Sequence, residues 1–319
     1  MKKIDQLLQS QKTIYNFKKK IEAFFESQNF TFIQPPLLSS LPIPEASISL
    51  FSTQYKRFNI EEKLYLLPSP ELYLKTLISH GAKNIFTITP AFRNGEALEG
   101  SHNIEFTMLE YYLDNANYIH NMEFTKRFLS SIFDRKIEFT TLTLEEAFLK
   151  WANFSLEEAI KTNQLREMAL AAGFKIESSW SSEEIFNYIM VDKIEPSLPE
   201  NIFCFLTNYP AFVATTSKKL EGTPFTQRWE LYYNKIEIAN CYTEIDSYPD
   251  IKAYYKEELK LINGTSELSP KQEAYIKQFE NFPLCSGTAL GIERLLMAYL
   301  QTHNINSILL FPNKTPFLT

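Results

Sequence analysis

Phe92-Arg93-Asn94-Gly95-Glu96-Ala97-Leu98-Glu99-Gly100-Ser101-His102-Asn103-Ile104-Glu105-Phe106-Thr107-Met108-Leu109-Glu110 is the stretch on which the fold turns. Residues 84–93 and 105–113, which flank or overlap its ends, are rich in Ile, Thr, Phe and Tyr, the composition of strands. Between them lies a polar segment, residues 94–103, with glycines at 95 and 100. The pattern predicts two strands joined by a long loop. The strand ends then bring Arg93, His102 and Phe106 around one loop mouth. A guanidinium fork can hold a phosphate through paired hydrogen bonds while an aromatic face stacks on a base, so the set suits a nucleotide. Alone, the arginine would serve equally as a salt-bridge partner and the phenylalanine as core; the run carries the signal.

Working outward, residues 11–28 place Ile14, Phe17, Ile21, Phe24 and Phe25 at helical spacing, with Lys18, Lys19 and Lys20 largely between them; this is an amphipathic helix. Phe30-Thr31-Phe32-Ile33 reads as a short strand stopped by Pro35-Pro36. Ser69-Pro70-Glu71 predicts a helix start with Ser69 as N-cap and Pro70 at the first helical position, running to about His80 and closed by Gly81. Residues 117–192 are mostly helical in pattern, with a helical insertion over roughly 141–195. Strands return at 203–208, 229–233 and 236–242, the last two joined by Asn234-Lys235, which implies an antiparallel sheet. A charged helix at 251–261 and a glycine-containing run at 286–291, entering an apolar helix at 292–300, complete the chain. With no repeat or clear linker, residues 1–319 predict one α+β domain.

The composition excludes several classes. Of 319 residues 45% are hydrophobic, with 26 Phe and 17 Tyr, ample for a sizeable core and unlike disordered or collagenous chains. The formal charge of −6 and pI near 5.5 argue against nucleic-acid binding dominated by electrostatics. Lys18–Lys20 and Lys218-Lys219 are candidate basic patches for an acidic protein, although lysine runs are usually solvated faces. Cys204, Cys241 and Cys285 are widely spaced and odd in number, which suggests reduced thiols. With no apolar leader and no 18-residue apolar run, the expected compartment is cytoplasmic, with no membrane contact.

Two further constellations bear chemistry. In Glu237-Ile238-Ala239-Asn240-Cys241-Tyr242-Thr243-Glu244 a regular strand would put the two glutamates on opposite faces, so either Glu244 lies past the strand end or a bulge re-aims it. Brought together, the carboxylates suit Mg²⁺ shared with substrate phosphates; otherwise they are exposed strand residues. In Gly287-Thr288-Ala289-Leu290-Gly291-Ile292-Glu293-Arg294 the glycines admit a ligand to the backbone, and Arg294 adds a cation near a helix start. The plainer alternative is a turn.

Taken together these residues resemble the class II aminoacyl-tRNA synthetases, and most closely their lysine branch. The likeness rests on Ser69-Pro70-Glu71-Leu72-Tyr73-Leu74-Lys75, Phe92-Arg93-Asn94, His102-Asn103-Ile104-Glu105-Phe106-Thr107-Met108-Leu109-Glu110, Glu237-Ile238-Ala239-Asn240 and the final Gly-x-Ala-x-Gly-x-Glu-Arg. Because the chain starts almost at the first helix, no anticodon-binding domain is expected. Such a freestanding core, with Ala289 where lysyl-tRNA synthetases usually have glycine, resembles the elongation factor P lysyltransferase family.

The resemblance implies an antiparallel sheet flanked by helices, dimerised through the first helix, and a two-step reaction. Lysine or β-lysine and ATP, with Mg²⁺, give an aminoacyl-adenylate, and a lysine side chain of elongation factor P then takes the acyl group. Arg93 would hold the α-phosphate and Arg294 the γ-phosphate. Phe106 would stack on adenine, with Glu96, His102, Asn103 and Gly291 also on the ATP side. Glu237 and Glu244 would carry Mg²⁺. Ser69, Glu71, Glu110, Tyr112, Asn240, Glu244, Gly287 and Ala289 match positions around the amino acid.

Departures fall in the loop: Gly95 separates Asn94 from Glu96, the stretch to His102 is one residue longer than in relatives, no arginine precedes His102, and Ile104 replaces a usual proline. The competing functions are a tRNA ligase, which the absent domain and acidic pI disfavour; an asparagine synthetase-type ligase, whose aspartate Glu71 and Glu110 would repel; and a catalytically silent binding subunit. Retention of Arg93, Arg294, Glu237 and Glu244 speaks against the last.

Overall fold

The computed structural model describes residues 2–96 and 100–310, without the side chains of residues 2–7 and 10. Eleven strands appear among the described residues: β1 (Thr31–Phe32), β2 (Leu38–Ser39), β3 (Ser52–Arg57), β4 (Ile60–Leu66), β5 (Ile85–Phe92), β6 (Glu105–Asp114), β7 (Phe139–Thr143), β8 (Phe203–Thr207), β9 (Arg228–Tyr233), β10 (Ile236–Thr243) and β11 (Cys285–Gly291). Eight form one sheet in the order β1-β5-β6-β11-β10-β9-β8-β7. Its six central strands are antiparallel, and the edge strands β1 and β7 pair parallel to β5 and β8. Helices α1 (Lys2–Ser27), α2 (Glu71–Ser79) and α3 (Tyr118–Ile132) precede the insertion. Within it run α4 (Leu144–Ala147), α5 (Leu156–Lys161), α6 (Leu165–Ala171), α7 (Ser182–Ile189) and α8 (Glu195–Ser197). After it come α9 (Tyr248–Asn263), α10 (Pro270–Lys277) and α11 (Ile292–Leu300).

The apolar stripe of α1 performs as its spacing predicts. Phe17, Ile21 and Phe25 are buried in one cluster with Phe86, Tyr111, Phe124 and Phe128, and Phe25 stacks on Phe86 with ring centroids 4.9 Å apart. Such aromatic pairs add about 0.5–1.5 kcal/mol each beyond the area they bury. The lysines between are tied into the fold: Lys20 pairs with Asp134 at 2.6 Å and Lys18 donates to Thr107 Oγ1. Lys218 likewise pairs with Asp246, whereas Lys219 is exposed.

The antiparallel prediction holds, and the β9–β10 hairpin turns through Asn234 and Lys235, both at positive φ (48° and 68°), as a two-residue hairpin turn requires. The run at 286–291, whose plainer reading is a turn, is strand β11, seated mid-sheet between β6 and β10, and it leads directly into α11 as expected. Helix α2 is bounded at Glu71, and the Ser69 hydroxyl accepts from the Glu71 amide at 3.1 Å, the contact expected of an N-cap with Pro70 in the first helical position, while it donates to the site described below. The insertion's expected start at 141 falls inside strand β7; its helices run from Leu144 to Ser197. They gather a separate cluster around Phe148, Phe186 and Ile189, which rests on Cys204, Leu206 and Tyr232 of the sheet. The hairpin β3–β4 was not foreseen: the residues of β3 are all exposed, so no buried alternation marks it.

Candidate active site

Strand register builds the site. Across β6, β11, β10 and β9 the partners Glu110, Ala289, Asn240 and Glu230 stand in one row, and Tyr112, Gly287, Tyr242 and Arg228 stand in the next but one. Since side chains alternate with period two, both rows face the same side of the sheet. Glu244, one residue past the end of β10, has the parity of Asn240 and Tyr242. Glu237 does not, but the register shifts between Glu237 and Ala239 and pairs Glu237 with Tyr232. The bulge therefore re-aims Glu237, and it does so onto the face that carries Glu230.

Above this face lie two adjoining chambers. The outer one, about 350 Å³, is lined among others by Arg93, His102, Phe106, Glu237, Gly291 and Arg294; Glu96 and Asn103 also open onto it. The inner one, about 90 Å³, is lined by Ser69, Glu71, Glu110, Tyr112, Glu244 and Gly287, among others. Arg93, Asn240 and Ala289 border both.

In the outer chamber the arginines hold few fixed anions. Arg93 Nε is buried without a hydrogen-bond partner among the described residues, and its guanidinium sits 5.4 Å from the centroid of Phe106. A base stacking on Phe106 would thus use the ring's other face. Arg294, near the start of α11, donates to the carbonyls of Ser101 (3.2 Å) and Glu237 (2.9 Å) and lies 3.6 Å from the Glu237 carboxylate. His102 Nδ1 is 3.0 Å from Glu96 Oε2 and 3.2 Å from Arg294 Nη2, so Glu96, despite the displaced Gly95, still meets the site. Asn103 Nδ2 donates to the Glu105 carbonyl, and Glu293 accepts from the Thr107 amide at 2.9 Å, bracing the strand that carries Phe106. Residues 97–99 of the loop lie outside the described residues.

The inner chamber is already hydrogen-bonded. Glu110 accepts from the hydroxyls of Ser69 (2.7 Å) and Tyr112 (2.8 Å). Burial, with Glu71 nearby, pushes its carboxyl up to about 8, against those two hydrogen bonds. Lys75, one helical turn after Glu71, is buried with its ammonium 2.8 Å from Glu71 and 2.9 Å from Glu244. Desolvation pulls its pKa down, but Glu244 and Glu71 outweigh that and hold it well above the ordinary lysine value. Gly287 is required for space: a Cβ there would stand 2.6 Å from Tyr112 Cε1 and 2.7 Å from Glu244 Oε1. Behind Asn240, Arg228 Nε donates to its Oδ1 at 3.2 Å. Arg228 is held by Glu230 at 2.6 Å, and Glu230 accepts from the hydroxyls of Tyr209 and Tyr232.

Of the two residues expected to carry Mg²⁺, Glu244 is paired with Lys75 in the inner chamber, whereas Glu237 opens onto the outer one, its carboxyl raised by desolvation and by Glu230. Among the described residues no three His, Cys, Asp or Glu side chains are grouped to hold a metal unaided. A divalent cation at this site would take Glu237 and draw its other ligands from phosphate oxygens, the usual manner of Mg²⁺.

A family model described as tRNA synthetases class II (D, K and N) matches residues 2–315. The chain belongs to that family. It is similar to the lysine–tRNA ligase of Shewanella loihica, 30% identical over 322 residues, covering 93% of this chain and 63% of the relative. It also resembles those of Vibrio parahaemolyticus, at 30% with the same coverage, and of Buchnera aphidicola subsp. Schizaphis graminum, at 29% over 317 residues. The chain spans 62–63% of the length of these curated relatives. Among the described residues no helix is long and apolar enough to cross a membrane.

The sequence missed Lys75, Arg228, Glu230 and Glu45 as site residues. Lys75 had a signal, its four-residue spacing from Glu71 on one helix face. Arg228, Glu230 and Tyr232 alternate along one strand, a polar stripe legible once that strand is known to be central. Glu45 had none, because only the folded loop brings it to the site.

Proposed function

We propose that the chain activates lysine, or β-lysine, with ATP and passes the aminoacyl group to a protein amine, a lysine side chain of elongation factor P. The observation that supports this best is the inner chamber, where Glu71, Glu110 and Glu244 meet a single internal ammonium. Of the amino acids the family description names, D, K and N, only lysine brings a cation to that surplus of carboxylates. An aspartate side chain would be repelled by about 4 kcal/mol per carboxylate at 4 Å and an effective dielectric near 20.

In the first step an oxygen of the lysine carboxylate attacks the α-phosphorus and the bond to the β-phosphate bridging oxygen breaks, releasing pyrophosphate. Arg93, at the junction of the chambers, holds the α-phosphate while Arg294 holds the far end of the triphosphate. Both act by charge placed where it develops. Glu237 would hold Mg²⁺, which neutralises phosphate charge. In the second step the acceptor amine attacks the acyl carbon, AMP departs with the C–O bonding pair, and the amine loses a proton as the amide forms. Ala289, between Glu110 and Asn240 in the sheet row, sets the room left for the substrate's backbone. A homodimer built on α1 completes the proposal. The relatives' names favour a second acceptor, the 3′ end of tRNA.

Intact mass of the host's elongation factor P, after incubation with the protein, ATP, Mg²⁺ and lysine or β-lysine, tests the proposal while AMP release is followed. A gain of one lysyl unit supports it. AMP release without that gain moves the acceptor to tRNA, and the absence of both signals overturns activation.

A further inference from the structure

Five residues line both chambers: Glu45, Arg93, Met108, Asn240 and Ala289. They form the neck, and Glu45 is the one carboxylate among them. It stands on the loop between β2 and β3, a loop fixed at both ends. The Ala46 amide donates to Glu258 Oε2 of α9 at 2.6 Å. The Asn94 amide, one residue after Arg93, donates to the Ser49 carbonyl at 2.9 Å. Between these anchors the Ile48 amide closes a turn on the Glu45 carbonyl. The Glu45 carboxylate itself has no hydrogen bond or ion pair with any described residue, unlike Glu71, Glu110 and Glu244. Burial and the neighbouring Glu71 push its carboxyl up to about 7, with Arg93 and Arg228 pulling it down; the two arginines are near enough to oppose the shift and neither forms an ion pair with it.

We infer that Glu45 receives the substrate amine nearest the activated carboxyl group, so that the site reads both amines of a diamino acid. The inference rests on the proposed activation of lysine. Its geometry is simple. The reacting carboxyl carbon must sit where the α-phosphate chamber meets the inner one, since Arg93 borders both. An amine on the first or second carbon from that carboxyl is then in the neck, while the terminal amine reaches Glu71, Glu110 and Glu244. Arg93 is the cation of the neck and faces phosphate; Glu45 is its anion and faces ammonium. An unpaired carboxylate held on a pinned loop is in place before substrate arrives, so little ordering is needed on binding.

Lysine, β-lysine and 6-aminohexanoate, which keeps the terminal amine and lacks the proximal one, form the test in ATP–pyrophosphate exchange. The native protein should favour the better diamino acid over 6-aminohexanoate by at least about tenfold in kcat/KM, the scale of one charged hydrogen bond. Glu45→Gln should raise the KM of that diamino acid by about tenfold and leave 6-aminohexanoate within about twofold. Its KM for ATP and its melting temperature should match the native protein's. Glu45→Asp should fall between. Exchange with discrimination unchanged in Glu45→Gln overturns the inference alone. Exchange with none of the three in the native protein overturns the activation reading and this inference with it.

Discussion

The two chambers are built on opposite plans. In the inner one every carboxylate that lines it beyond the neck already has a donor: Ser69 and Tyr112 for Glu110, and Lys75 for Glu71 and Glu244. In the outer one Arg93 keeps a buried N–H without a partner among the described residues, and Arg294 is anchored mainly to backbone carbonyls. The difference teaches where selectivity and where catalysis reside. A pre-paired chamber measures one added cation against carboxylates already held in place. Arginines short of anions wait for the phosphates and for the charge that develops on them.

The largest effect separates the two plans by stability. Lys75→Met leaves Glu71 and Glu244 buried without their shared cation, and breaking such a pair from one side costs about 3–5 kcal/mol. A marked fall in melting temperature is expected, and an unchanged one would remove Lys75 from the chamber's framework. Arg294→Ala should do the converse. Its side chain is partly exposed, so the melting temperature should hold, while pyrophosphate exchange falls by about 10²–10³-fold. Near-native exchange in that variant would take the triphosphate out of the outer chamber.

A subtler distinction is pH. The Glu110 carboxyl, raised to about 8, is mostly neutral at pH 6 and gains charge as pH rises, and only the charged form attracts ammonium. The KM for lysine should therefore fall between pH 6 and 8, by at most about tenfold per unit for one proton released. Glu110→Gln should raise KM and reduce that slope; an equally steep profile in the variant would clear Glu110 of the effect. The smallest change tests the shape of the neck. Ala289→Gly removes one methyl and should alter the ratio of kcat/KM for lysine and β-lysine by about threefold to tenfold. An unaltered ratio would place the discrimination elsewhere.

Local pattern revealed much of the fold, and for physical reasons. The stripe of α1 and the hairpin at Asn234-Lys235 are set by neighbours in sequence, so spacing and turn chemistry expose them. Strand β11 is hidden by its glycines, which fit a turn as well as a strand, whereas Gly287 clears Tyr112 of β6 and Glu244 just past β10. The site divided in the same way. Arg93, Phe106, Glu110 and Arg294 could be singled out because they recur in recognisable runs. The partner of Glu244 could not, since Lys75 meets it only across the fold. Glu45 sits in a stretch with no periodicity at all.

The most direct test of the two-chamber account is ATP–pyrophosphate exchange by the purified protein with lysine, β-lysine, norleucine and aspartate. Norleucine matches the carbon chain of lysine and lacks its terminal amine. The account predicts exchange with lysine or β-lysine and at most background with norleucine and aspartate; exchange with norleucine equal to that with lysine would contradict it.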